Sequence, residues 1–301
     1  MNVLITGGTG LIGKALIKAL RQNHANITVL TRNCTKAAKT LGTDINVIDE
    51  LKLSTIENID TVINLAGEPI ANKRWSTAQK KQICQSRWDI TEKLTSLIKA
   101  ANNPPSLFIS GSAIGIYGRQ GSLSIDEEFT DYHREFTYEV CSKWENLALA
   151  AKSENTRIAI LRTGIVLDEN EGAIAKMLLP FKLCLGGRIS HGQQMMSWIH
   201  IDDMVAAILH IQNTPSLKGF INITAEQPVT NDVFSRTLAK TLNRPCILTT
   251  PAFMLKLIFG EMADLLLFGQ DVKPTKLKNS GFHFTYPTID IALNNLLTKK
   301  L

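Results

Sequence analysis

Along the first two thirds of the chain, short runs of consecutive apolar residues alternate with longer stretches whose apolar positions recur every three to four residues. The runs centre on Val3–Ile5, Ile27–Leu30, Asn46–Ile48, Thr61–Asn64, Leu107–Ser110 and Arg157–Arg162. They predict strands covered on both faces, since a strand with one wet face alternates polar and apolar positions. The recurring stretches predict helices from Gly13 to Asn23, from Ser76 to Ala101 ahead of the helix-stopping Pro104-Pro105, and from Tyr138 to Lys152. Such alternation predicts an α/β fold, a Rossmann-type doubly wound parallel sheet over residues 1–163. From Gly164 the rhythm changes to Gly and Pro punctuation, a short strand at Trp198–Ile201, a helix from Asp203 and a strand at Gly219–Ile223. Residues 164–301 are therefore expected to send strands back to the core. They should also build a small α/β lobe over the carboxyl edge of the sheet, where open α/β sheets bind ligands.

The first strand runs into Thr6-Gly7-Gly8-Thr9-Gly10-Leu11-Ile12-Gly13 at the head of the first helix. In this spacing Gly7 permits a tight turn, Gly10 lets backbone approach a phosphate and Gly13 lets helix pack on strand. The helix-terminal amides then face a diphosphate, so the turn predicts a dinucleotide. Its kind is read at the end of the second strand. An NAD site usually places an Asp or Glu there, but this chain has Leu30-Thr31-Arg32-Asn33. With no acid present, and with Arg32 offering a planar fork to a 2′-phosphate, the expected cofactor is NADP(H). Leu65-Ala66-Gly67 closes another strand with small residues, as a loop passing close to a ligand requires.

Composition narrows the partners. A net charge of +6 raises the question of nucleic acid, but the basic residues are scattered, with only Lys80-Lys81, Lys299-Lys300 and the Lys273, Lys276, Lys278 set close together, and none interleaves with aromatics. No nucleic-acid partner is expected. Five cysteines without a Cys-x-x-Cys or a nearby His at ligand spacing predict reduced thiols and no metal site. No cleavable signal precedes the first strand, so a cytoplasmic location is expected. The apolar stretch Pro251–Phe268 is broken by Lys256, Glu261 and Asp264, cannot cross a bilayer, and reads as a docked amphipathic helix. No membrane partner is expected. The oligomeric state stays open, a homodimer being one option.

Several motifs occur in order: the glycine turn, Asn64-Leu65-Ala66-Gly67-Glu68, Lys73-Arg74-Trp75, Ser86-Arg87, Ser110-Gly111-Ser112-Ala113 with Ile116-Tyr117-Gly118, Trp144-Glu145, Leu161-Arg162-Thr163-Gly164 and Ser197 to Asp203. Phe259-Gly260-Glu261-Met262-Ala263-Asp264, Gly281-Phe282 and Tyr286-Pro287 follow. The chain resembles the atypical extended short-chain dehydrogenase/reductases grouped as epimerase-family proteins, taken for nucleoside-diphosphate-sugar epimerases, with a family-specific C-terminal segment at about 248–296. The resemblance implies Thr31 and Arg32 at the adenosine phosphate, Leu65 and Ala66 along the adenine ribose, and Glu68 and Arg87 as polar contacts to the cofactor.

Short-chain dehydrogenases typically use a Ser to orient substrate, a Tyr as acid/base and a Lys four residues later. An i,i+4 step turns about 40° on a helix, so the ammonium can stabilise the phenolate. Ser112 stands after the right strand. Anchored on Glu145, however, the Tyr and Lys positions fall at Thr137 and Cys141, and the five-residue step from Tyr138 to Lys143 turns about 140°. The pair is missing. Ser112 and Tyr117 are left as the candidates to polarise a carbonyl or hydroxyl, with Tyr117 a donor rather than a base. Trp75, Gln194, Trp198 and His200 are candidates to border a substrate, and Asp202 or Asp203 to cap the following helix. Two readings remain. One is an NADP-dependent oxidoreductase or epimerase for a small substrate, nucleotide sugars being one class. The other is a non-enzymatic NADP(H)-binding sensor.

Overall fold

The apolar runs pair edge to edge because each can satisfy its backbone only against a neighbour while both faces are covered by helices. The structure, a computed structural model, describes residues 1–298; Lys299-Lys300 lies outside them. Strands β1 (Asn2–Thr6), β2 (Asn26–Leu30), β3 (Asn46–Ile48), β4 (Thr61–Asn64), β5 (Leu107–Ala113), β6 (Arg157–Thr163) and β7 (Gly219–Ile223) form one parallel sheet. Its order is β7-β6-β5-β4-β1-β2-β3, a Rossmann-like arrangement that reverses direction between β1 and β4. Helices α1 (Leu11–Gln22), α2 (Cys34–Leu41), α3 (Thr77–Ala100) and α4 (Phe136–Leu149) connect the strands. Helix α3 starts where Ser76 Oγ accepts from the Gln79 amide. Two apolar layers sandwich the sheet, one with Leu16, Ile17 and Leu20 of α1, the other with Leu94 and Ile98 of α3.

After β6 the chain builds the lobe. It comprises α5 (Gly172–Lys182) and, beyond α6 (Ile201–Asn213), which returns to pack beside α1 on the sheet, α7 (Asn231–Thr241), α8 (Ala252–Phe259) and α9 (Ile289–Thr298), joined by two-strand ladders. Phe181, Trp198, Phe234 and Leu293 fill its core. The lobe is pinned to the sheet end by polar links: Ser197 Oγ donates to Gln270 O (2.8 Å), Asn222 Nδ2 to Lys273 O (3.0 Å) and Thr224 Oγ1 to Val272 O (3.1 Å). These links fix the C-terminal segment over the carboxyl ends of the strands.

Candidate cofactor and substrate site

Thr6 ends β1 with its hydroxyl donating to Asn64 Oδ1 (2.6 Å) and accepting from the Ala66 amide (3.2 Å). The loops after β1 and β4 therefore leave the sheet tied together. Gly7 has φ +70°, and a Cβ on it would stand 2.5 Å from Leu65 O; one on Gly13 would stand 2.4 Å from Gly7 O. Neither position admits a side chain without moving backbone. Helix α1 begins at Leu11 behind Gly10, which caps it with no side chain, and its first bond in this turn runs from the Lys14 amide to Gly10 O (2.9 Å). The amides of Leu11, Ile12 and Gly13 thus point out of a helix N-terminus without intrahelical acceptors. At the end of β2, Thr31 is half-buried and Arg32 exposed, beside Asn33, whose side chain caps α2.

The loop after β4 carries the next group. Leu65 and Ala66 are half-buried, the Glu68 amide donates to Ser86 Oγ (2.9 Å), and Gly67 leaves room for the Arg87 guanidinium, which a Cβ would approach to 2.9 Å. Arg87 donates to Ile83 O (2.9 Å) and lies 5.3 Å from the Trp144 ring. Burial lowers its pKa, partly offset by nearby Cys141, Cys84 and Glu68. The structure thus gathers Thr6, Gly7, Leu65, Ala66, Gly67, Glu68 and Arg87 at adjoining strand ends.

At the end of β5 a chain of buried polar groups begins. Ser112 Oγ donates to Glu145 Oε1 (2.7 Å), and Arg162 grips the same carboxylate with Nε to Oε1 and Nη2 to Oε2, both 3.0 Å. The side chains of Arg162 and Glu145 are 1% and 4% exposed. Arg162 Nη1 reaches the Tyr117 hydroxyl (3.1 Å), which donates to Asn222 Oδ1 (2.7 Å), while Phe220 lies 4.0 Å from the guanidinium. Burial alone would lower the Arg162 pKa, but the bonds and charge of Glu145 win and raise it. This corrects one expectation: Tyr117 does not face a substrate. Its side chain is fully buried, its hydroxyl is spent on Asn222 and Arg162, and burial pushes its pKa up to about 12.

On α4, Thr137, Cys141 and Glu145 follow at four-residue steps along its buried face. Cys141 sits beside Ser112, and burial pushes its thiol up to about 12. Tyr138 leans on Tyr132 (5.7 Å between rings) and Lys143 lies 4.3 Å over Trp88, both on an open groove between α3 and α4. Beneath the lobe a cavity of about 60 Å³ is lined by Trp75, Arg119, Glu135, Phe136, Thr137 and Asp264. Arg119 bridges Glu135 (2.8 Å) and Asp264 (2.7 Å), closing lobe on core.

Three of the proposed substrate-bordering residues are core instead. Trp198 is buried with Nε1 donating to Gln227 O (3.1 Å). Gln194 is buried and its amide donates to Ile189 O and Leu266 O. His200 is buried, stacks 3.7 Å from Tyr286 and accepts from the Asp202 amide (3.0 Å), so it caps α6. The expected caps do other work: Asp203 accepts from the amides of Thr285 and Tyr286 (both 2.9 Å), and Asp202 accepts from the Tyr286 hydroxyl. Trp75 alone of the four lines the cavity. The motifs alone give Glu145, Arg162 and Asn222 no role, although an arginine inside an apolar strand run requires a buried partner. Among the described residues, no group of three or more His, Cys, Asp or Glu stands close enough to hold a metal.

Residues 3–223 match the model of the NAD dependent epimerase/dehydratase family, and residues 250–296 match a domain of unknown function, DUF1731. The chain is 38% identical over 296 residues to an epimerase family protein of Staphylococcus saprophyticus, covering 98% of this chain and 99% of that one. Human epimerase family protein SDR39U1 (isoform 2), solved with NADPH, superimposes with a TM-score of 0.89 at 30% identity, over 99% of this chain and 100% of that one. A nucleoside-diphosphate sugar epimerase of Corynebacterium glutamicum gives 0.77 at 26% identity, over 100% of this chain and 59% of that one. A parallel Rossmann-like sheet, a glycine turn at the first helix and a match across nearly the whole length converge, and the chain belongs to the NAD dependent epimerase/dehydratase family.

Proposed function

We propose that the chain is an NADP(H)-dependent oxidoreductase or epimerase for a small alcohol or carbonyl substrate, held between the sheet edge and the lobe. The observation that carries the cofactor reading is the uncapped N-terminus of α1 behind Gly10, set beside an acid-free end of β2 that exposes Arg32. The human relative solved with NADPH supports it. When bound, the nicotinamide supplies or accepts a hydride. The chain's own part is to seat the diphosphate on the Leu11, Ile12 and Gly13 amides, meet the 2′-phosphate with Arg32, and present Ser112 to the substrate oxygen. The carbon skeleton of the substrate is unassigned; a nucleotide sugar is one option, supported by the name of the Corynebacterium relative.

The second reading, an NADP(H)-binding sensor, draws on Thr137 and Cys141 at the Tyr and Lys positions, both buried, with a thiol pKa near 12. One experiment separates the readings. Purified protein is titrated with NADPH and NADH, then given carbonyl and sugar-nucleotide panels while absorbance of the reduced nicotinamide is followed. Arg32→Ala should weaken NADPH about 10- to 100-fold, the range of one or two charge-assisted hydrogen bonds, and leave NADH nearly unchanged. Equal losses would remove the 2′-phosphate assignment, and tight NADPH binding without turnover on any panel favours the sensor.

A further inference from the structure

The described surface does not expose its large apolar side chains evenly: most that reach solvent lie in residues 179–185 and 247–268. These segments are neighbours, since Gly187–Ile189 pairs with Leu248–Thr250 and Arg244 Nε donates to Lys182 O (3.1 Å). Helix α8 shows the feature most plainly. At about 100° per residue, Phe253, Met254, Leu257 and Ile258 share one side of it. All four are exposed, Phe253 to 70% and Leu257 to 75%, and Leu255 is the helix's one buried residue. The expected docked amphipathic helix is docked by its narrow side, with its wider apolar side outward. Leu179, Leu183 and Leu185 at the end of α5 are likewise exposed.

Charge in the same region is mostly basic. Residues 172–201 and 233–260 contain seven Lys and Arg and no Asp or Glu, against a net +6 for the whole chain. Arg188 and Arg236 pair with Asp232, while Lys182, Arg244 and Lys256 join no ion pair among the described residues. The nearest downstream acids, Glu261 and Asp264, are occupied by Lys80 and Arg119.

We propose that this face binds an anionic membrane surface, with α8 lying in the headgroup layer, Phe253 and Leu257 inserted, and Lys182, Arg244 and Lys256 against lipid phosphates. An apolar stripe with an unpaired basic rim fits that surface from both sides of its chemistry. A symmetric contact with a second copy would set the same cations against each other. Nucleic acid would use the cations but not the aliphatic stripe. The expectation of no membrane partner rested on the charges that forbid spanning, and a helix lying on the surface needs no span. The proposal is independent of whether the cleft turns over a substrate.

The test is co-sedimentation of the full chain with vesicles of phosphatidylcholine alone and of an equimolar mixture with phosphatidylglycerol. Binding is expected to the mixture only and to fall as salt rises. Lys182→Gln and Lys256→Gln should each weaken it about fivefold and together about 25-fold, and Phe253→Ser with Leu257→Ser should abolish it. Unchanged circular dichroism and NADPH binding would show that these variants keep their fold; the two Lys variants, at exposed sites, decide the matter if the apolar pair does not fold. Equal partition to both vesicle types overturns the proposal. So does a dimer, seen by light scattering, that the Phe253→Ser and Leu257→Ser pair converts to monomer.

Discussion

Among the described residues Arg162 is the one cation gripping Glu145, and replacing it by Met leaves a carboxylate, 4% exposed, bonded to the Ser112 hydroxyl. Breaking one side of a buried pair costs about 3–5 kcal/mol, because the partner's charge stays desolvated. Arg162→Met should lose about that much near neutral pH, read as the shift in urea midpoint followed by tryptophan fluorescence. Glu145→Gln should lose less, because the guanidinium keeps the Tyr117 hydroxyl (3.1 Å) and the Phe220 ring (4.0 Å). The sign of the pH effect separates the two. A lone buried carboxylate prefers its proton, so the deficit of Arg162→Met should shrink as pH falls through the weakly acidic range, whereas that of Glu145→Gln should not. Replacing both partners, Arg162→Met with Glu145→Leu, should return stability to within about 1 kcal/mol of the parent, since no charge is left to desolvate. A double variant as unstable as the sum of the singles, or a pH-independent Arg162→Met deficit, would show that the pair is not the isolated buried unit its geometry indicates.

Two further outcomes follow from single positions. Gly13→Ala places a Cβ 2.4 Å from Gly7 O and 2.7 Å from Gly8 Cα, so backbone must move; about 1–3 kcal/mol of stability and most NADPH affinity should go. Gly10→Ala meets Gly7 O at 3.3 Å and should weaken NADPH with little loss in urea midpoint, the split that separates phosphate approach from packing. Glu127 is buried, and burial raises its carboxyl above the usual range despite the Asn222 and Lys276 amides on Oε1. A folded pKa above the unfolded one means stability falls as pH rises from the unfolded pKa through the folded one. Glu127→Gln keeps an acceptor for both amides and should flatten that fall, measured as urea midpoints across the weakly acidic range; an unchanged slope would assign it to another group.

The sheet and the glycine turn were legible because their determinants are local. A strand buried on both faces must be continuously apolar, and the backbone around Gly7 and Gly13 admits no side chain. The reading failed where a polar side chain could face either way. Trp198, His200 and Gln194 are each buried by tertiary packing, where Trp198 Nε1 and Gln194 Nε2 donate to backbone carbonyls and His200 Nδ1 accepts from a backbone amide. Tyr117 failed for the same reason, its partner Asn222 being 105 residues away. The cavity was invisible because Trp75, Arg119, Glu135 and Asp264 meet only when the lobe closes on the core. The outward stripe of α8 was visible as composition, but no periodicity says which of two apolar sides a helix buries.

The polar chain behind Ser112 also bears on the direction of the proposed chemistry. An ionised carboxylate can only accept, so the bond between Ser112 and Glu145 puts the serine proton on the line between them. Ser112 keeps its lone pairs for other partners, so on the proposed reading a substrate group that meets it donates: a hydroxyl rather than a carbonyl oxygen. Where a Tyr and Lys stand in a typical member, the phenol exchanges the proton of the substrate hydroxyl; here Thr137 and Cys141 hold the places, and a thiol with a pKa near 12 takes none at neutral pH. The fixed pair Glu145 and Arg162 thus exchanges a movable proton for a permanent orientation of Ser112. On the proposed reading, the bound alcohol is held better than the bound ketone, and carbonyl reduction must first turn the Ser112 hydroxyl away from Glu145.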